Sequence, residues 1–366
     1  MPILTFVKRR HLSLLADPLK PESTYPSVSI IVPARDEEKA IEPCLHSLLN
    51  LDYPDFEIIA VNDRSSDQTG SIMDRLADRN ARLKIIHVNE LPEGWVGKNH
   101  ALHLASQKAR GTYILFTDAD VVFEKETLRL ALSYTLNHAV DHLCLLVKRI
   151  TSGYWSGAMM LAQMFMMLMF INPLKVSTNS KRFYIGIGQF NLVKKASYLT
   201  AGGHTSIRFD ILDDFKLGKL MKMSGYHQDF LVSWDLASYR WPDSVWDIAK
   251  AQETHTFGSM NYSIVKLICF TTFFLGISLL PYIGLLFFHD LRFWGYVAAV
   301  CIIQYTWGFM GIQRGLGWKQ TLSFPVSIFL FLWAHWRSAI TILWAGGIYW
   351  RETFYPLKLV RANRYR

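Results

Sequence analysis

The chain has 366 residues, 51% of them hydrophobic, with 39 Lys and Arg against 30 Asp and Glu for a formal charge of +9. Much of the positive excess sits in the terminal segments, which suits anionic lipid headgroups better than nucleic acid, and no nucleic-acid-binding signature appears. The four cysteines (Cys44, Cys144, Cys269, Cys301) lie apart without metal-ligand spacing and read as reduced thiols in or facing the cytosol; the length holds one catalytic domain plus a membrane bundle, with no internal repeat or low-complexity tract.

Residues 1–24 form a basic, interfacial segment (Lys8-Arg9-Arg10) whose start lacks the sustained apolar core of a signal peptide. Residues 28–33 read as a buried strand, followed by Ala34-Arg35-Asp36-Glu37-Glu38 and a helix with apolar residues at Ile41, Cys44, Leu45, Leu48 and Leu49. Residues 56–61 are a second strand ending in Asn62-Asp63, and 83–88 a third. A helix over 98–108 leads through Gly111 into a strand that runs up to Asp118. Strands alternating with helices predict an α/β domain with a mainly parallel sheet and right-handed crossovers. Ligands of such sheets bind beyond the carboxyl ends of the strands, where Arg35, Asp63 and the pair Asp118 and Asp120 all fall.

Asp118-Ala119-Asp120 closes an apolar run, and side chains two apart on a strand share a face. Two hard oxygen donors there suit Mg²⁺ or Mn²⁺ beside a diphosphate; a solvated turn after a buried strand is the competing reading. Residues 155–171 are apolar and rich in Met, but one crossing there would split the catalytic domain across a bilayer, leaving a buried core helix or an interfacial one. Gly186-Ile187-Gly188-Gln189 permits close backbone approach to a ligand, or marks a bulged strand. Asp213-Asp214 precedes a helical run (Phe215, Leu217, Leu220, Met221), so the acids serve either chemistry or the helix dipole.

The ordered set Pro33-Ala34-Arg35-Asp36-Glu37-Glu38, Asn62-Asp63-Arg64-Ser65-Ser66-Asp67-Gln68-Thr69, Gly94-Trp95-Val96-Gly97-Lys98, Asp118-Ala119-Asp120 and Gly202-Gly203-His204 with Leu212-Asp213-Asp214 resembles glycosyltransferase family 2, the inverting enzymes of GT-A fold. Within it the chain is most similar to a membrane-bound branch associated with hopanoid and carotenoid-type lipids. The resemblance covers roughly residues 25–260 and departs mildly in having Asp36-Glu37 where Asn-Glu is usual. It implies a Rossmann-like mixed sheet and a nucleotide-sugar donor, most directly a UDP-sugar. Asp63 would contact the uridine, Asp118 the ribose and metal, Asp120 the metal (Mg²⁺ or Mn²⁺), and Lys98 the diphosphate, with Arg35, Glu37 and Arg240 also on the donor. Asp214 would be the general base, and Gly188, Gln189, His204, Asp213 and Trp241 would line the acceptor side. His204 is equally readable as a structural histidine. Tyr239-Arg240-Trp241 is similar to the Arg-Trp of processive synthases, but Ala237 replaces the Gln that accompanies it there, which favours transfer of a single sugar.

Residues 264–288, 293–312 and 324–350 are each long and apolar enough to cross roughly 30 Å of hydrocarbon, with aromatic residues crowding their ends. Lys8-Arg9-Arg10, Arg314 with Lys319, and the tail of 351–366 are all basic, so all three should lie on the cytoplasmic side. Two crossings satisfy that and a third does not. Arg337 inside the third stretch points the same way, so that stretch is expected to be re-entrant or interfacial. The organisation expected is a catalytic domain at 25–260, a membrane region at 261–350 and a basic tail, placed at the inner membrane with the catalytic domain cytoplasmic. The function expected is transfer of one sugar to a membrane lipid. A silent scaffold of the same fold, or a polyprenyl-phosphate or polysaccharide type of transferase, stands as the alternative. A nucleotidyltransferase is disfavoured because Pro33–Glu38 is acidic and lacks the Gly-rich basic loop.

Overall fold

The computed structural model describes residues 25–365, so the basic segment expected at 1–24 lies outside the described residues. The chain divides into two compact units. The first holds the described residues up to Ile150, Ile171–Arg240 and the chain from Arg364; the second holds Thr151–Phe170 and Trp241–Asn363. That division differs from the expected boundary near 260. The Met-rich stretch at 155–171 and the segment from Trp241 both group with the apolar helices.

The first unit is built on an eight-stranded sheet. Strands β1 (Val28–Ala34) and β2 (Phe56–Asp63) flank helix α1 (Ile41–Leu49), α2 (Thr69–Ala77) leads to β3 (Leu83–Val88), and α3 (Gly97–Lys108) to β4 (Tyr113–Phe116). There follow β5 (Val121–Phe123), α4 (Thr127–Asn137) and β6 (His142–Ile150); then, after α5 (Tyr154–Phe170) of the second unit, β7 (Asn191–Lys194), α6 (Asp213–Met223) and β8 (Gln228–Arg240). The sheet order is β3-β2-β1-β4-β7-β6-β8-β5. The first four strands are parallel, as the βαβ pattern predicts, but β7 runs antiparallel to both β4 and β6 and makes the sheet mixed. β1 is a strand because Val28, Ile30, Ile31 and Val32 are β-branched and buried on both faces. The core beneath the carboxyl ends packs Ile31, Val61 and Phe116 against Leu102 and Ala105 of α3 and Leu217 and Met221 of α6.

In the second unit α5 is followed by α7 (Val245–Ala251), α8 (Ile264–Phe287), α9 (Leu291–Gln313), α10 (Phe324–Ala345), the hairpin β9 (Gly347–Trp350) and β10 (Thr353–Pro356), and α11 (Leu357–Asn363). Three segments here, α8, α9 and Trp318–Ala345, are long and apolar enough to cross a membrane. Helix α5 buries Ser156 to Ala162 inside this unit, and Phe165 meets Trp307 of α9 edge-on at 6.1 Å. Arg337 of α10 is compensated: it pairs with Glu253 and its guanidinium lies 4.7 Å from the Trp246 ring.

Candidate active site

The two loops after β1 and β2 fasten to each other. Asp36 takes a left-handed conformation (φ 55°), which turns its Oδ1 to accept hydrogen bonds from the Ser66 backbone (2.8 Å) and hydroxyl (3.1 Å). The Glu37 N–H donates to Thr69 Oγ1 at 2.8 Å. Asp63, at the end of β2, is buried and held by Arg64, whose Nε lies 2.8 Å from Oδ1.

The acids expected on one strand face lie elsewhere. β4 ends at Phe116, and Asp118 and Asp120 occupy the turn between β4 and β5. Their proximity is therefore a product of the turn, not of strand alternation. Asp118 is held at both oxygens: Lys98 Nζ donates to Oδ1 at 2.8 Å and Gln189 Nε2 to Oδ2 at 3.2 Å. Lys98 also reaches Asp213 Oδ2 at 3.4 Å. Asp213 and Asp214 open α6 as its first two helical residues, with no side-chain cap bond from the residue before. Asp214 Oδ2 accepts from the Gly188 N–H (2.8 Å) and Oδ1 from the Phe215 N–H (2.7 Å). Helix-dipole and chemical readings of these acids are thus compatible. One cavity is lined by Lys98, Phe116, Asp118, Gly188, His204, Asp213 and Asp214, together with Leu102, Thr117, Asn191 and Leu217.

The electrostatics follow from gathering three acids, one buried and two half-buried, around one cation. Burial pulls the Lys98 ammonium down, but the Asp118, Asp213 and Asp214 carboxylates outweigh it and leave its pKa raised. Burial pushes Asp213 up to about 6, opposed by Lys98 and helped by Asp214 and Asp118. Burial likewise raises Asp214, against the pull of Lys98 and the two N–H donors. Asp120 is pushed up to about 7 by burial and then by the charges of Asp118 and Glu37.

A sequence profile described as glycosyl transferase family 2 matches residues 29–212, half of the chain. The chain belongs to glycosyl transferase family 2. It is 29% identical over 195 residues to a 4,4'-diaponeurosporenoate glycosyltransferase of Staphylococcus aureus, covering 52% of this chain and 50% of that one. The chain thus matches about half the length of this curated relative. A mannosyltransferase from Pyrobaculum calidifontis, solved in complex with GDP-Man and Mn²⁺, superposes with a TM-score of 0.52 at 20% identity over 90% of each chain. That likeness shows the fold.

Of the residues expected at the site from sequence, Lys98, Asp118, Gly188, Gln189, Asp213 and Asp214 are brought into mutual contact, with Glu37 and Asp120 close enough to repel each other. Arg35 sits at the end of β1 with Nε 3.8 Å from Asp36. Arg240 is exposed at the end of β8 and makes no hydrogen bond or ion pair with Asp118 or Asp120. Trp241 belongs to the second unit, where it packs on Met159, Ile248, Ala249 and Ala334. His204 lines the cavity, yet its Nδ1 is 2.8 Å from the Tyr198 hydroxyl and its ring meets Phe116 at 5.0 Å. Burial, then the charge of Lys98, lowers it to about 3, so it is neutral and structural in character.

Asp118 and Asp120 fit a divalent cation. They are hard oxygen donors, and a cation would relieve both the burial and the repulsion by Asp118 that raise Asp120. No group of three His, Cys, Asp or Glu forms a cage among the described residues, so further ligands would come from phosphate and water.

Asn99 escaped the sequence reading. It is fully buried beside Lys98, and its Nδ2 donates at 2.8 Å to both Ile207 O and Asp210 O. It thereby ties the loop that leads into α6, and so to Asp213 and Asp214, to the helix that carries Lys98. Nothing local to position 99 signals a partner 108 residues away; adjacency to Gly97-Lys98 was the one available hint. Asn99→Ala should cost about 1–3 kcal/mol of stability by leaving the Asp210 carbonyl without this donor, while the Ile207 carbonyl keeps the Asp210 N–H, read as a lower Tm of the purified chain. Gly186→Ala should be worse for activity. An added Cβ there would stand 1.7 Å from the Asp214 backbone oxygen, so the start of α6 must move. Loss of transfer with retained donor binding is the expected result, checked by rate and binding measurements on one preparation.

Proposed function

We propose that this chain transfers one sugar, with inversion, from a nucleotide sugar, most directly a UDP-linked hexose, to the hydroxyl or phosphate of a membrane lipid. The observation that carries the reading is Lys98 between Asp118 and Asp213, with Asp214 next along and both of its oxygens fixed by backbone N–H groups.

The roles divide by charge. Asp63, Arg35 and Glu37 belong to the nucleoside end of the crevice. Asp118 and Asp120 would hold Mg²⁺ or Mn²⁺, which when bound neutralises charge on the departing diphosphate. Lys98 adds a fixed positive charge at the same end of the bond, where it stabilises the leaving group as it forms. Asp214 accepts the proton of the acceptor O–H while that oxygen bonds to the anomeric carbon. The bond from that carbon to the diphosphate oxygen breaks, and the nucleoside diphosphate leaves. The raised pKa of Asp214 suits it to hold that proton. Gly188 and Gln189 shape the acceptor side by backbone approach and by fixing Asp118. The lipid acceptor is supported by the three apolar segments and by the relative that acts on 4,4'-diaponeurosporenoate. The reading places the protein at the inner membrane with the catalytic unit cytoplasmic.

The test is release of nucleoside diphosphate by membranes holding the full chain. Addition of a total lipid extract should stimulate release from a UDP-sugar. Release that is indifferent to lipid but stimulated by a water-soluble alcohol would overturn the lipid acceptor.

A further inference from the structure

Three segments of the second unit have the length and hydropathy of spans, but their contacts do not fit three crossings. We infer that, among the described residues, only α8 and α9 cross the bilayer, and that Trp318–Ala345 enters and leaves the same leaflet, presenting one apolar face to its acyl chains. This rests on the membrane placement proposed above.

The argument starts from the α8–α9 hairpin. The two helices are joined by a short link at Phe288–Asp290 and run antiparallel: Gln304 Nε2 donates to the Tyr282 hydroxyl at 2.7 Å, and Phe288 stacks on Tyr296 at 5.5 Å. The start of α8 and the end of α9 therefore lie at one face of the membrane. Helix α9 passes into the next segment through a tight turn in which the Leu316 N–H donates to Gly311 O at 2.9 Å. Lys319 and Gln320 are then pinned to Tyr154, at 3.0 Å each. So the third apolar segment begins at that same face.

It also ends there. Ser338 Oγ accepts from the Phe257 N–H at 3.2 Å, and Arg337 pairs with Glu253, both in the stretch that leads into α8. Beyond α10, Arg361 Nη2 donates at 2.6 Å to the carbonyl of Tyr262, two residues before α8 starts. A helix crossing from the end of α9 would deliver Arg361 to the opposite face, roughly 30 Å away. The middle of α10 agrees: His335 and Phe331 meet α8 at Phe270 and Phe274. Those rings stand 6 and 10 residues into α8, on the order of 9–15 Å at 1.5 Å per residue, and so no deeper than mid-bilayer.

The surface of α10 completes the case. Half of its most apolar stretch is buried, against 22% for α8 and for α9, so much of it faces protein. The remainder is a helical stripe of exposed Val326, Phe329, Trp333, Ile340 and Trp344, suited to acyl chains and the interface. Basic residues then fix which face this is. Arg314 and Lys319 precede α10, and Arg351, Lys358 and Arg361 follow it, whereas the far link carries Arg292 already paired with Asp290 at 2.6 Å. The positive-inside rule makes the shared face cytoplasmic.

The test labels single added cysteines in cells expressing the full chain with a membrane-impermeant maleimide, with the parent chain as background. His289→Cys should react in intact cells, and Lys319→Cys and Lys358→Cys only after permeabilisation. Ala362→Cys repeats the last measurement should Lys358→Cys not fold. Reaction of Lys358→Cys or Ala362→Cys in intact cells, with Lys319→Cys protected, would mean three crossings and overturn the proposal. Removal of the parent chain from membranes by alkaline carbonate would instead overturn the membrane placement on which it rests.

Discussion

Asp214→Asn is expected to slow sugar transfer by about 10²–10⁴-fold, the usual worth of a general base, while donor affinity is retained. The amide keeps the shape and can still accept at its oxygen from the Gly188 or Phe215 N–H, but it cannot take a proton. The pH dependence of the unmodified protein should carry the same signature. Burial raises the Asp214 pKa, so transfer is full where Asp214 is ionised and falls as the pH drops through that raised value. The acidic limb should therefore lie above that of an ordinary carboxylate. Asp213, pushed up to about 6 by burial and partly by the charge of Asp214, titrates together with it and broadens the limb. Turnover of Asp214→Asn close to the parent rate would remove this residue from the chemistry.

Asp120→Asn acts on the other half of the site. Even the outer partners of metal sites are worth about 10–100-fold in metal affinity, and a direct ligand should be worth no less. Donor binding should need Mn²⁺ or Mg²⁺ in the parent protein, and should be weak and indifferent to either ion in the variant. Because burial, Asp118 and Glu37 already oppose the charge on Asp120, removing it should not lower the Tm. That separates a lost ligand from a lost fold. Full donor affinity of the parent in excess chelator would mean that Lys98 carries the diphosphate without a metal.

Local pattern carried much of this site. The β-branched runs of β1 and β2, the glycine before Lys98, and the acid pairs at 118/120 and 213/214 are short-range signals, and each was legible in order along the chain. What periodicity could not show is pairing across long separations. The antiparallel insertion of β7 between β4 and β6 and the reach of Asn99 to Asp210 are tertiary choices with no local signature. Of the two readings open for Asp118 and Asp120, the turn holds rather than the strand, although an apolar run continues up to Phe116 without a breaker. The unit to which helix α5 belongs was not legible for a different reason. Its position in the chain, between β6 and β7, says nothing about its partners, and its Met and Phe side chains found the apolar helices. Trp241 shows the limit of motif reading most sharply, since adjacency to Arg240 did not place the two residues in one unit.

The central claim is sugar transfer to lipid at the Lys98–Asp118–Asp213–Asp214 site. Membranes holding the full chain, incubated with a panel of nucleotide sugars and extracted with organic solvent, test it most directly when the extract is read by mass spectrometry. The account predicts a lipid species heavier by one sugar residue, formed with a nucleotide sugar from the panel and absent from parallel membranes holding Asp214→Asn. Nucleoside diphosphate and free sugar without any glycosylated lipid, or equal product from Asp214→Asn, would contradict it.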